Sequence, residues 1–132
     1  MLTFRKRVVI AVLLVVLFGA GTLSALQYGS FAAYRRLQDL EWHMRATPDE
    51  KRETAHQALA FVLGDPHDAF GILLEHGDAS SIPYLRAALE RQPDDGSGGV
   101  ECTWEHGMLA LERLEAPEQW KRRLAEAARR NR

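Results

Sequence analysis

The run Val8-Val9-Ile10-Ala11-Val12-Leu13-Leu14-Val15-Val16-Leu17-Phe18-Gly19-Ala20-Gly21-Thr22-Leu23-Ser24-Ala25-Leu26, entered through Arg5-Lys6-Arg7, carries no charge and nothing more polar than Thr22 and Ser24. At about 1.5 Å of rise per residue it makes roughly 28 Å of helix, close to the ~30 Å hydrocarbon core of a bilayer. It is apolar on every face, unlike the one-sided stripe of a helix packed on a soluble core. The sequence therefore predicts a single-pass transmembrane helix running through Val8, Leu13, Leu17, Leu23 and Leu26, with lipid contact over residues 8–28. A cleavable signal peptide has a shorter apolar region, of about 7–15 residues, and small residues before its cut. The pairs Thr22/Ser24 and Ser30/Ala32 do not make a clean site of that kind, so an uncleaved anchor is expected.

The flanks bear on orientation. Arg5, Lys6 and Arg7 precede the run, and Arg35, Arg36 and Arg45 follow it at greater distance. The denser N-terminal cluster predicts a cytoplasmic N-terminus with the domain outside, periplasmic or otherwise extracytoplasmic. Tyr28, Phe31 and Tyr34 fall where an interfacial aromatic belt belongs, and packing of a juxtamembrane helix accounts for them equally. Gly21 and Ala25 form a small-xxx-small pair of the kind that lets transmembrane helices approach closely.

Charge is unevenly placed along the 132 residues, behind a net of −1. Residues 37–116 hold six Lys/Arg against sixteen Asp/Glu, a net of −10, whereas 117–132 hold six basic and two acidic residues, a net of +4. An acidic body disfavours nucleic acid, whose phosphates dominate affinity. The basic tail suits anionic lipid, an acidic partner or plain solvation. Cys102 is the only cysteine, which excludes an intrachain disulfide and a CxxC motif.

Beyond the span the periodicity is helical throughout. Tyr34, Leu37, Leu40 and Met44 recur at three- and four-residue steps, predicting an amphipathic helix over 30–47 that continues out of the membrane. Thr47-Pro48-Asp49-Glu50 reads as an N-cap, a proline at the first helical position and acids in the first turn. The next helix buries Ala55, Leu59, Val62 and Leu63 and stops at Gly64. Asp65-Pro66 opens another, with Ala69, Phe70, Leu73 and Leu74 apolar and Gly77 as the C-terminal glycine. Asp78, Ser80 or Ser81 caps a helix burying Ile82, Leu85, Ala88 and Leu89. Residues 92–99 are a loop by composition. A helix from about Glu101 to Leu114 is expected to bury Cys102, Trp104, Met108, Leu111 and Leu114. After Ala116-Pro117 a last helix offers Trp120, Leu124, Ala127 and Ala128 to the body. The expected division is an anchor at 1–29, a juxtamembrane helix at 30–47 and a helical domain at 48–132, all-α.

Gly77-Asp78-Ala79-Ser80-Ser81-Ile82-Pro83-Tyr84-Leu85-Arg86-Ala87-Ala88-Leu89 resembles the first helix of a bacterial HEAT repeat, whose pattern is G-D-x-x-x-I-P-x-L-x-x-A-L. Ala110-Leu111-Glu112-Arg113-Leu114 resembles the A-L-x-x-L that ends the second helix, and Pro117-Glu118-Gln119-Trp120 the P-x-x-W that opens a closing helix. The resemblance covers residues 77–114 well and 48–77 in outline. It departs at Glu101, where the pattern has Arg, and in the length of the 92–99 loop. It implies a short HEAT-like α-α repeat domain following the transmembrane helix, each helix pair burying its apolar face on a neighbour. It also implies protein binding rather than chemistry.

Candidate chemistry is sparse. Cys102 and His106 lie one helical turn apart and offer half of a zinc site or a thiol near a helix N-terminus with an imidazole beside it. His43, His56, His67 and His76 form no paired motif with one another. Glu75-His76-Gly77-Asp78 reads as a helix end followed by a cap, and Asp94-Asp95-Gly96-Ser97-Gly98 lacks the alternating acids of a calcium loop. No phosphate-binding, G-x-S-x-G or H-E-x-x-H motif is present. The expectation is a membrane-anchored interaction module, an accessory subunit or assembly scaffold, with no enzymatic activity, cofactor or metal. Its partner is a membrane complex or other protein, and Tyr84, Arg86, Glu90, Arg91 and Glu105 are the candidate contacts. The alternatives are a small enzyme or metal-binding domain centred on Cys102 and His106, and a secreted adaptor released by cleavage.

Overall fold

A computed structural model of the protein describes residues 3–60, 66–91 and 101–130, with backbone only for Glu101 and Cys102. All regular structure among the described residues is helical: α1 (Phe4–Leu37), α2 (Leu40–Arg45), α3 (Pro48–Ala60), α4 (His67–His76), α5 (Ile82–Arg91), α6 (Glu101–Glu115) and α7 (Pro117–Arg130). A 3-10 turn at Ala79–Ser81 leads into α5. The expected positions Val62, Leu63, Gly64 and Asp65, the 92–99 loop and the Cys102 side chain lie outside the described residues.

The apolar run and the first part of the amphipathic stretch, to Leu37, form one helix. α1 is 34 residues long, about 51 Å at 1.5 Å per residue. It is long and apolar enough to cross a membrane, and none of its most apolar 18-residue window is buried. Its last two turns behave differently. Ser30, Ala33 and Leu37, spaced three and four apart and hence on one face, are buried. There α1 packs against α3, and the Ser30 hydroxyl donates to the Ala58 carbonyl at 2.9 Å.

The helix does not continue to residue 47. It ends at Leu37, and Asp39 takes an extended conformation from which its carboxylate accepts the N–H groups of Glu41 and Trp42, at 2.9 and 3.3 Å. A side chain that satisfies the first free N–H groups of a new helix favours a new start over continuation. The expected stripe is accordingly split. Leu37 is buried, but Leu40 and Met44 are 75% and 82% exposed, and Trp42 packs on the core in their stead.

The domain is four helices in two layers beside the end of α1. α3 starts at a reciprocal cap: Thr47 N–H donates to Glu50 at 2.7 Å and Glu50 N–H to the Thr47 hydroxyl at 3.2 Å. α3 runs antiparallel to the end of α1, so its C-terminus returns to the point where α1 enters the domain. α5 runs alongside α3 in the same direction: Ser81 and Tyr84 meet His56, and Arg91 reaches the carbonyls of Leu59 and Ala60. α4 and α6 are likewise parallel: His67 meets His106, and the Arg113 guanidinium donates to the carbonyls of Leu73 and Gly77. Arg91 thus ties α5 to α3 and Arg113 ties α6 to the last turn of α4, where the Gly77 carbonyl lies beyond the helix.

Phe70, Leu59, Leu73 and Leu85 are the largest fully buried side chains, and alanines at 33, 55, 58, 69, 88 and 110 fill the remaining core. Small residues at these contacts let the helices approach closely. This explains a difference in α6. The buried positions are Thr103, Gly107 and Ala110, whereas Trp104, Leu111 and Leu114 are half-buried at the flank and Met108 is exposed. A methyl group on Gly107 would lie 2.9 Å from Leu89 Cδ2 and from Phe70 Cε2, so the contact admits glycine and little else. Gly77 also differs from expectation. Its backbone is extended, φ −68° and ψ 154°, not left-handed. Glycine is required there because a Cβ would meet the Leu73 carbonyl oxygen at 2.4 Å.

α7 doubles back along α6, since Leu109 shares an open groove with Trp120, Leu124, Ala127 and Arg130. The groove leaves Leu124 about half exposed, and no residue of α7 is buried. The expected burial of Leu124, Ala127 and Ala128 is therefore not seen; α7 touches the body through Trp120 and the Arg123–Glu112 ion pair.

Candidate functional site

His56 is the most chemically suggestive side chain in the fold. It is buried on α3, its Nε2 lies 2.8 Å from the Ser81 hydroxyl, and its Nδ1 is 3.8 Å from the Glu53 carboxylate. Tyr84 stacks flat on the imidazole at 4.3 Å between ring centroids and 3° between planes. The order serine, histidine, glutamate is that of a hydrolytic triad, but two observations assign it another role. Ser81 is 0% exposed, so no substrate reaches its oxygen. That oxygen is also engaged in the cap before α5, accepting Asp78 N–H at 3.3 Å while the Asp78 carboxylate accepts Ser80 N–H at 2.8 Å. The group pins α3 to the start of α5. Burial pushes the His56 imidazole below its ordinary pKa, against the opposing pull of Glu53 and Asp78. The hydrogen bonds from Ser80 hold the Asp78 carboxyl low, with Arg52 adding to them.

The remaining histidines converge where sequence spacing gave no sign of it. His43, His67, His76 and His106, from α2, α4 and α6, line one open cleft of about 210 Å³ together with Lys51, Asp68 and Glu75. His67 and His106 meet edge to face at 4.7 Å. His43 is committed to the end of α1, its Nε2 2.5 Å from the Leu37 carbonyl. His76 lies 3.6 Å from Glu75. Among the described residues no group of three or more His, Cys, Asp or Glu is placed to hold a metal ion. His106 is thus brought to His67, a pairing across helices that no motif announces.

The five residues singled out as contacts fall on different sides of α5 and α6. Tyr84 and Arg91 turn toward α3, one stacked on His56 and the other donating to the Leu59 and Ala60 carbonyls. Arg86 reaches α6, donating through Nε to Glu115 at 2.8 Å. Glu90 and Glu105 are exposed. Tyr84, Arg86 and Arg91 therefore have work inside the fold.

Among the described residues, most of the exposed large apolar side chains lie on α1. Val8, Leu13, Leu17, Leu23 and Leu26 are all exposed. Of the three aromatic residues beyond them, Tyr28 and Phe31 are exposed, whereas Tyr34 packs against the core. From Leu26, the last residue of the run, to Ser30, the first buried residue, is four residues, or about 6 Å of helix. Searches of protein families, curated proteins and solved structures found no match to this chain.

Proposed function

We propose that the protein is a single-pass, membrane-anchored helical module of HEAT-like type that binds another membrane protein, as an accessory subunit or assembly scaffold. The observation that carries this reading is the continuity of α1 from its exposed apolar run into the buried Ser30, Ala33 and Leu37. A helix with no linker between span and domain holds the domain against the bilayer surface at a fixed height. Such an arrangement suits a partner that is itself in the membrane: tethering raises the local concentration of the domain, and fixed geometry removes the entropy of a flexible arm. The parallel pairing of α3 with α5 and of α4 with α6 supports the repeat reading, because stacked α-α pairs bury each face on the equivalent helix of the neighbour. The engagement of Ser81 and His56 in a buried cap supports binding over catalysis. In the proposed orientation the N-terminus is cytoplasmic and the domain outside.

The experiment is purification of the tagged full-length chain from membranes in mild detergent. The reading expects one membrane complex in stoichiometric amount, lost when a flexible Gly-Ser insert is placed between Gln27 and Tyr28. Recovery of the chain alone, under conditions that preserve other membrane complexes, would overturn it.

A further inference from the structure

We propose that α7 is a second membrane contact: its basic face binds the anionic headgroups of the bilayer that α1 spans. The inference rests on the reading of α1 as a span.

Three observations carry it. The first is direction. The apolar run leaves the domain at Ser30, beside Ala58 near the end of α3. α5 ends at this level, where Arg91 meets Leu59 and Ala60. α4 runs antiparallel to α3, since Asp78 beyond its end reaches Arg52 near the start of α3, and α6 runs parallel to α4. α7 doubles back along α6, so Arg129 and Arg130 are directed toward the end of the domain from which α1 emerges.

The second is charge. α7 carries Lys121, Arg122, Arg123, Arg129 and Arg130 against Glu118 and Glu126, while residues 37–116 have a net of −10. Lys121, Arg123 and Arg130 pair with Glu118, Glu112 and Glu126, so the attraction to an anionic surface falls mainly on the exposed Arg122 and Arg129, and it decays within a Debye length. The basic strip is therefore of use to lipid only if it lies close to the bilayer, which is the end it is directed toward.

The third is the state of the helix. No residue of α7 is buried, and its apolar side, Trp120 and Leu124, is only partly covered by Leu109. Arg129 and Arg130, at its C-terminal end, stay on the surface, where headgroups can reach them. The span holds α7 there, so weak individual contacts suffice.

The test is hydrogen exchange of the full-length chain in nanodiscs of phosphatidylcholine alone and of phosphatidylcholine mixed with phosphatidylglycerol. The proposal expects α7 amides to exchange more slowly in the anionic discs. The difference should disappear at high salt and in the Arg122→Gln/Arg129→Gln/Arg130→Gln variant, whose substitutions are all on exposed positions. Equal exchange in the two lipids, or a difference that survives the triple substitution, would overturn it. Peptides from the apolar run serve as the internal reference. Strong protection of residues 8–26 in both discs keeps the span reading while α7 is judged, whereas rapid exchange there would sink the span reading itself.

Discussion

The hydroxyl of Ser30 donates to the main-chain carbonyl of Ala58 at 2.9 Å, with both residues buried. The bond joins α1 to α3, one turn beyond the last apolar residue of the run. It makes the domain a continuation of α1. Ser30→Ala should cost about 1 kcal/mol, the usual net worth of such a bond, seen as a lower thermal midpoint in detergent. Tyr28→Ala, on an exposed side chain two residues earlier, should leave the midpoint unchanged.

A pH dependence follows from His56. Burial holds its folded pKa below the ordinary 6.5. Between the two values the unfolded chain binds a proton that the folded chain does not, so stability rises with pH across that window. It should be full above pH 6.5 and fall as the pH drops below it. His56→Gln should flatten the thermal midpoint between pH 7 and 5. Ser81 should stay unlabelled by a fluorophosphonate probe in the folded protein, since its oxygen is shielded.

Gly107→Ala measures how closely α6 approaches α4 and α5. The added methyl would sit 2.9 Å from Leu89 and from Phe70, and the Phe70 ring is fully buried. Overpacking of this kind costs about 1–3 kcal/mol, which outweighs the gain of up to ~1 kcal/mol from replacing a helical glycine. Chemical denaturation should show net destabilisation; a stabilised variant would mean that the helices sit farther apart.

Arg91 binds the Leu59 and Ala60 carbonyls of α3, and Arg113 binds the carbonyls of Leu73 and Gly77 at the end of α4. Either arginine to alanine should lose about 1.5–3 kcal/mol, the range for hydrogen bonds to a charged group. Arg91→Lys should recover only part of it, because lysine lacks the two-nitrogen fork with which Arg91 reaches the Leu59 and Ala60 carbonyls together. Amide exchange at the ends of α3 and α4 would locate the effect.

Much of the helical framework was legible in the sequence because it rests on local chemistry. Thr47 and Glu50 form the expected cap, Asp78 begins the turn before α5, and Leu85 and Ala88 face inward. What escaped prediction depends on contacts between distant residues. Asp39 was not seen as a cap because the hydrophobic spacing on either side of it continues. The buried face of α6 was missed because Thr103, Gly107 and Ala110 are small, and hydropathy gives small residues little weight where close packing favours them. His56 has no motif in the sequence that marks it; its partners Ser81 and Tyr84 arrive from the turn before α5 and from α5. The histidine cleft is of the same kind, assembled from α2, α4 and α6.

The most direct test of the account is the intact mass of the protein recovered from membranes after an alkaline wash. The account predicts the chain in the membrane pellet with residues 8–26 present. A soluble chain that has lost its first 24 or 32 residues would contradict it, because the exposed apolar run of α1 would then be a discarded leader and the domain would have no anchor.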